Sequence, residues 1–305
     1  MRVHNSKVLI SVVGPTAVGK TDWGIRIAKR YHTEIISSDS RQFYREMNIG
    51  TAKPTSEELG QVNHHFVDCL SIHESYSAAK FQDDSIKAIE SLFASNNVVV
   101  MVGGSGLFAK AVWHGLDEIP EIDPQVRESL NEEYVNNGID PLLDELREKD
   151  PEYFNKVDIA NPRRIIRALE VIRGTNTKFS DFRTERPVNR PFNNLKLGLE
   201  LPRELLYDRI NQRMDTMIER GLFEEARQLF FFRELTAMHT VGYSEIFDYL
   251  ENKYDRNEAI RLLKRNSRRY AKRQLTWFKR DPDIHWFDPR EEEKIISFLD
   301  AQNIY

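Results

Sequence analysis

The sequence predicts an α/β protein: a parallel sheet flanked by helices, interrupted by a helical insertion and followed by a helical C-terminal part. Three observations predict it. Up to Gly115, short β-branched apolar runs alternate with stretches of helical periodicity, the pattern of parallel strands covered on both faces. The first apolar run passes through a Gly-rich turn directly into a helical stretch. Beyond Gly115 the chain becomes charged and helical, until one more strand-like run arrives at 195–201.

Taken in order, KVLISVV (7–13) is short, apolar and β-branched and reads as a buried strand. A helix follows from about Lys20 to Tyr31. TEIIS (33–37) reads as a second strand and HHFVD (64–68) as a third. Residues 76–95 fit an amphipathic helix, with Ala79, Ile86, Ile89, Leu92 and Phe93 near helical spacing and Ser77 at its cap or first turn. NVVVMV (97–102) is another buried strand, ended by Gly103-Gly104. Residues 121–173 look helical and charged, and 174–194, with Gly174, Pro187 and Pro191, reads as a loop. LKLGLEL (195–201) is a strand that can return to the sheet. Pro202 opens a helix to about Arg220, and most of the rest is helical. The implied division is a core of 1–115 plus 194–305 and an insertion of 116–193. There is no internal repeat and no low-complexity segment.

The 305 residues suffice for one large domain or two smaller ones, and 40% hydrophobic with 30% charged residues is ordinary for a soluble globular chain. No stretch approaches the length of a membrane span. The opening residues run straight into a phosphate-binding motif without a cleavage site, unlike a secretory signal. The single cysteine, Cys69, cannot form an internal disulfide, which suits a reducing compartment and a cytoplasmic location. A net charge of −4 does not announce a nucleic-acid partner. Its distribution says more: residues 261–280 hold nine Lys or Arg and no acid, 161–190 hold eight basic and three acidic side chains, and 117–152 are rich in acid. Local basic surfaces of this kind bind phosphates even when the total is negative.

GPTAVGKT, Gly14, Pro15, Thr16, Ala17, Val18, Gly19, Lys20 and Thr21, matches G-x-x-x-x-G-K-[ST] at every fixed position. It follows a predicted strand and opens a predicted helix, the context that distinguishes a P-loop from a chance Gly-rich turn. Backbone N–H groups and the helix N-terminus favour anionic oxygens, Lys20 adds a full charge, and Thr21 can ligate Mg²⁺. The core is therefore P-loop NTPase-like. The motif specifies a polyphosphate but not a reaction. Nucleotide hydrolases usually carry a hydrophobic strand ending in Asp, whereas NVVVMV ends in Gly-Gly and Asp68 is a weak substitute. No guanine-reading N-K-x-D is present.

Asp39, in IISSDSRQFYREMNIGTAKP (35–54), lies just past the second strand. Strand C-termini of a parallel sheet line the ligand crevice, so this carboxylate is placed to act as a general base, although alone an Asp there is more often a turn former or helix cap. GGSG (103–106) brings close backbone approach and the Ser105 hydroxyl. His64, His65 and His239 lack metal-ligand company, which argues against a zinc site. Phe43, Tyr44, Trp277 and Phe278 can stack on bases but are better explained by packing.

GPTAVGKT, SSDSRQFYREMNIGTAKP, HHFVD followed by YSAAKF, GGSGLF, RRIIRALEV, HTVGYSE and RRYAKRQLTWF occur in this order. Together they resemble the tRNA dimethylallyltransferases, over nearly the whole chain. The resemblance implies transfer of a dimethylallyl group from dimethylallyl diphosphate to N6 of adenine-37, beside the anticodon. It implies Asp39 as general base, the P-loop with Mg²⁺ on the diphosphate, Arg213 at the diphosphate and Ser105 at the reaction centre, where most members have Thr. It implies tRNA contacts from Asp39, Ser40, Arg41, Gln42, Ser105, Arg127 and the run Arg163, Arg164, Ile165, Ile166, Arg167. Arg163 stands where many members have Gln. The partners implied are the tRNA anticodon stem-loop and the prenyl donor, with no membrane, and the chain is expected to be a monomer.

The basic stripe Arg261, Lys264, Arg265, Arg268 and Lys272 lies on one helical face and reads as either a phosphate-binding surface or a solvated one. Three other functions compete. A small-molecule kinase with an arginine-bearing lid leaves the basic stripe and the long Asp39 motif unexplained. A nucleotide-switched RNA-binding module gives Asp39 no task. A transferase acting on free adenine nucleotides does not need the insertion or the basic helix.

Overall fold

The structure, a computed structural model, describes residues 7–184 and 188–304. They form two units, Met1–Trp113 with Asn189–Tyr305 and His114–Val188, close to the division read from the sequence. The larger unit opens with β1 (Val8–Val13), buried at every position, as Val and Ile favour a pleat covered on both faces. Then come α1 (Lys20–Arg30), β2 (Ile35–Ser37), α2 (Ser56–Gln61), β3 (His64–His65), α3 (Ala78–Phe93), β4 (Val98–Gly103) and α4 (Gly106–His114). Ser77 caps α3 by accepting from the Lys80 N–H at 3.1 Å.

The smaller unit is helical, with α5 (Pro124–Asn137), α6 (Asp140–Lys149), α7 (Pro151–Phe154), α8 (Pro162–Thr175) and α9 (Phe179–Phe182). Residues from α5, α6 and α8 supply its own core, including Leu130, Leu142, Leu146, Ile165 and Leu169. The larger unit resumes with β5 (Asn193–Leu199), α10 (Arg203–Glu219), α11 (Leu222–Leu229), α12 (Ser244–Leu250), α13 (Arg256–Phe278), β6 (Ile284–Phe287) and α14 (Glu292–Ala301).

All six strands are parallel, in the order β3-β2-β4-β1-β5-β6. Hydrophobic clusters cover both faces, one around Ile10, Trp23 and Ile27 and the other around Leu9, Ile36 and Met101. Each such fully buried side chain contributes about 1.5–3 kcal/mol. The strand order sets the C-terminal ends of β2, β4 and β1 side by side, and so gathers Asp39, Gly103–Ser105 and Gly14–Thr21 at one edge.

Two expectations need correction, and one strand was not foreseen. The third strand pairs only through His64 and His65, because Phe66 (φ 63°) and Asp68 (φ 53°) are left-handed and cannot extend it. The loop expected over 174–194 contains the helical turn α9, and Pro187 lies outside the described residues. Most of the C-terminal part is helical, as expected, but it also holds a strand that the sequence reading did not name. β6, only four residues long, adds to the sheet beside β5, and a run that short carries too little periodicity to announce itself.

Candidate active site

Where β1 ends, Gly14 has φ 145° and a Cβ on it would stand 2.5 Å from the Leu199 carbonyl oxygen, so only glycine fits. Ala17 (φ 63°) and Gly19 (φ 108°) turn the chain into α1, whose first N–H groups lack intrahelical partners. The Lys20 ammonium donates to the Pro15 carbonyl at 2.7 Å. Burial lowers its pKa to about 8, a fall opposed by Asp39 and assisted by Arg213.

A cavity of about 530 Å³ opens above this loop. Its polar wall includes Thr16, Ala17, Gly19, Lys20, Thr21, Asp39, Arg209, Arg213, Tyr270 and Gln274, and its apolar wall Ile35, Val102, Ile210, Met214 and Met217. Arg213 donates to the Ala52 carbonyl at 3.2 Å. Its pKa is lowered by burial, against the pull of Asp39. The P-loop, Asp39 and Arg213, widely spaced in sequence, thus share one cavity. Pro15 and Val18 shape the loop without lining it, Val18 being fully buried.

Asp39 follows β2 on a chain pinned to β4 by Ser38 N–H to the Val102 carbonyl at 2.8 Å. Its Oδ1 accepts the Arg41 N–H at 3.1 Å. Ser105 Oγ accepts the Ser40 N–H at 3.0 Å and donates to Ser40 Oγ at 3.1 Å. Ser105 therefore braces the loop that carries Asp39. Tyr270 lies beside this pair, with its phenol pKa raised by burial and by the Asp39 charge. Arg41 donates to the carbonyls of Ala237 (3.1 Å) and His239 (3.3 Å), and Gln42 to that of Ala52 (3.2 Å), so both also tie loops together.

Among the described residues no three His, Cys, Asp or Glu side chains converge as a metal group. His65 pairs with Glu34, and His64 bonds to the Val62 carbonyl. A hydroxyl such as that of Thr21 suits a hydrated Mg²⁺ that takes its remaining ligands from phosphate oxygens and water.

In the smaller unit, Arg163 and Arg164 are exposed on the first turn of α8. Ile165 and Ile166 are not on that surface: they are 0% and 4% exposed in the unit's own core, so their expected tRNA contacts cannot come from their side chains. Helical spacing turns them inward while their arginine neighbours face out. Arg127 and Arg167 both pair with the buried Glu170, at 3.1 and 2.8 Å. In α13 the stripe is partly internal. Lys264 pairs with Asp215 (2.6 Å) and Arg268 donates to Asn211 (2.6 Å), docking α13 on α10, while Lys272 and Arg273 are exposed.

Sequence reasoning missed Arg209, Tyr270 and Gln274. Arg209 lies four residues before Arg213, which puts both on one helical face. Tyr270 and Gln274 share the same spacing. Gln274 accepts the Thr16 N–H at 2.8 Å and donates to the Gly104 carbonyl at 2.9 Å. The glycines of GGSG allow this approach: a Cβ on Gly104 would strike Gln274, and one on Gly106 the Trp277 indole.

The family described as IPP transferase matches residues 42–281. The tRNA dimethylallyltransferase of Cytophaga hutchinsonii is 48% identical, over 97% of this chain and 98% of its own. A solved tRNA isopentenylpyrophosphate transferase of Bacillus halodurans is 40% identical with a TM-score of 0.71, covering 97% of this chain and 96% of its own. A eukaryotic dimethylallyltransferase, solved acting on tRNA, has a TM-score of 0.78 at 26% identity, over 93% of this chain and 74% of its own. With the P-loop and Asp39 in one cavity, a family match over most of the chain and near full-length likeness to curated and solved relatives, this chain belongs to the IPP transferase family of tRNA-modifying prenyl transferases.

Proposed function

We propose that the chain transfers the dimethylallyl group of dimethylallyl diphosphate to N6 of adenine-37 in tRNA, releasing diphosphate. The observation that carries this is the meeting of Lys20, Arg213 and Asp39 in one cavity: a diphosphate cradle with the carboxylate that follows β2 beside it.

The bond from the allylic carbon to the diphosphate oxygen breaks, and its electron pair leaves with the diphosphate. Lys20, Arg213 and the loop N–H groups stabilise that charge most as it develops. Thr21 would hold Mg²⁺, which neutralises diphosphate charge when bound. The apolar wall of Ile210, Met214 and Met217 suits the dimethylallyl chain and excludes water that would otherwise hydrolyse the donor. The adenine N6 forms the new bond to carbon. Its proton passes to the carboxylate of Asp39, which the Arg41 N–H holds through Oδ1. The adenine reaches this cavity by leaving the stack of the anticodon loop. Ser40 and Ser105 set the position of Asp39, and the exposed Arg163, Arg164, Lys272 and Arg273 serve RNA phosphates. No helix among the described residues is long and apolar enough to cross a membrane.

The test is label transfer from dimethylallyl diphosphate to unmodified tRNA carrying A36-A37, with Mg²⁺. Label on A37 supports the reading. Label on free AMP, or ATP turnover without transfer, overturns it.

A further inference from the structure

Glu225 lies on α11, outside the cavity, yet its carboxylate gathers four hydrogen bonds. Oε2 accepts the N–H groups of Asn48 (3.0 Å) and Ile49 (2.8 Å). Oε1 accepts the Gly50 N–H (2.9 Å) and the Tyr243 hydroxyl (2.6 Å). Three successive backbone N–H groups aimed at one anion form a nest, the arrangement by which loops usually hold phosphate, and here the chain supplies the anion itself. Four donors match the full acceptor capacity of an ionised carboxylate.

The nest leads directly to the active site. Its third member, Gly50, lies against the Tyr243 ring, where a Cβ would come within 2.5 Å. Two residues on, Ala52 is left-handed (φ 51°) and its N–H bonds back to the Ile49 carbonyl at 3.0 Å. The Ala52 carbonyl then accepts from Arg213 Nη2 at 3.2 Å and from Gln42 at 3.2 Å. Gly50, Thr51 and Ala52 line the cavity, whereas neither Glu225 nor Tyr243 does.

We infer that Glu225 is a positioning residue for the diphosphate: anchored by Tyr243, it holds the 48–50 backbone in place and thereby fixes the Ala52 carbonyl that orients Arg213. This gives the NIGTAKP and GYSE segments a joint task, and it rests on the reading of the cavity as a prenyl diphosphate site.

The test is equilibrium binding of dimethylallyl diphosphate with Mg²⁺ and no tRNA, on the full chain, followed by steady-state kinetics. Glu225→Gln keeps the size and removes the charge. Its Kd for the donor is expected to rise about tenfold or more, as misplacement of a binding group by a fraction of an ångström does, while KM for tRNA stays within about twofold. Tyr243→Phe, which retains the ring, shifts Kd the same way by less. In an Arg213→Gln background, Glu225→Gln adds nothing further to Kd. A purely structural role predicts instead fewer active sites at unchanged donor Kd, or additive effects with Arg213→Gln, and either result overturns the inference. Failure of the unsubstituted protein to bind the donor overturns the prenyl diphosphate reading itself, and the inference falls with it.

Discussion

Gln274 accepts a hydrogen bond from the Thr16 backbone N–H at 2.8 Å, so a residue near the end of the longest helix closes onto the third residue of the P-loop. Its amide nitrogen holds Gly104 at 2.9 Å, and the side chain is 5% exposed. Replacing it with Leu leaves the half-buried Thr16 N–H and the buried Gly104 carbonyl without this partner, which costs on the order of 1–3 kcal/mol. Denaturant titration of Gln274→Leu should show this loss, together with weaker donor binding. Unchanged stability would mean that water replaces the amide at no cost.

Removal of the base separates chemistry from binding. Asp39→Ala should lower kcat by about 10²–10⁴-fold, while donor binding stays equal or tightens, since a negative charge beside an anion is lost. Single-turnover transfer and donor titration measure the two. Near-normal turnover would place the base elsewhere.

The donor affinity should depend on pH through Lys20. In the empty protein burial lowers its pKa to about 8, and a bound diphosphate favours the charged form and raises it. Affinity is therefore level below about pH 8 and falls by up to tenfold per unit above it, with proton uptake on binding. Calorimetry in buffers of differing ionisation enthalpy reads the uptake. Lys20→Ala should weaken binding and remove this limb.

Gly103→Ala puts a Cβ against the Ser38 backbone, 2.6 Å from its carbonyl carbon. That contact cannot relax by a rotamer change. The end of β2 must move, and Asp39 with it. A stability loss of about 1–3 kcal/mol should accompany a disproportionate fall in kcat, as much as about 100-fold. A variant that loses stability but keeps kcat would show that Asp39 tolerates the shift.

Arg163 and Arg164 are exposed and should act on tRNA alone. Each change to Ala should raise KM for tRNA and reduce the salt dependence of binding, by a log–log slope of about 0.7 per lost phosphate contact, without altering donor Kd. Filter binding over a salt series checks this.

The features legible in the sequence were those with strong local signatures. GPTAVGKT, the strand before it and the helix after it announce one another, and Asp39 follows from its place after β2. Arg213 and Ser105 came only by resemblance, since neither sits in a motif that names its chemistry. β6 was hidden by its length, and the two isoleucines of α8 were grouped with their arginine neighbours although helical geometry turns them inward. Gln274 and Glu225 were illegible for a different reason. Each acts through backbone groups far along the chain, at separations of 258 and 175–177 residues, and an exposed-looking Gln or Glu on an amphipathic helix gives no local sign of such a partner.

The close seating of Gly14 on Leu199 has a consequence in time. Synthesis produces the P-loop among its first residues, but the carbonyl against which its opening turn packs arrives only with β5. The amide that caps Thr16 arrives later still, on α13. Non-local closure of this kind is slow and comes late. A nascent or truncated chain ending before β5 therefore carries the complete phosphate-binding motif without its finished cradle, which is completed only after β5 and α13 have been added.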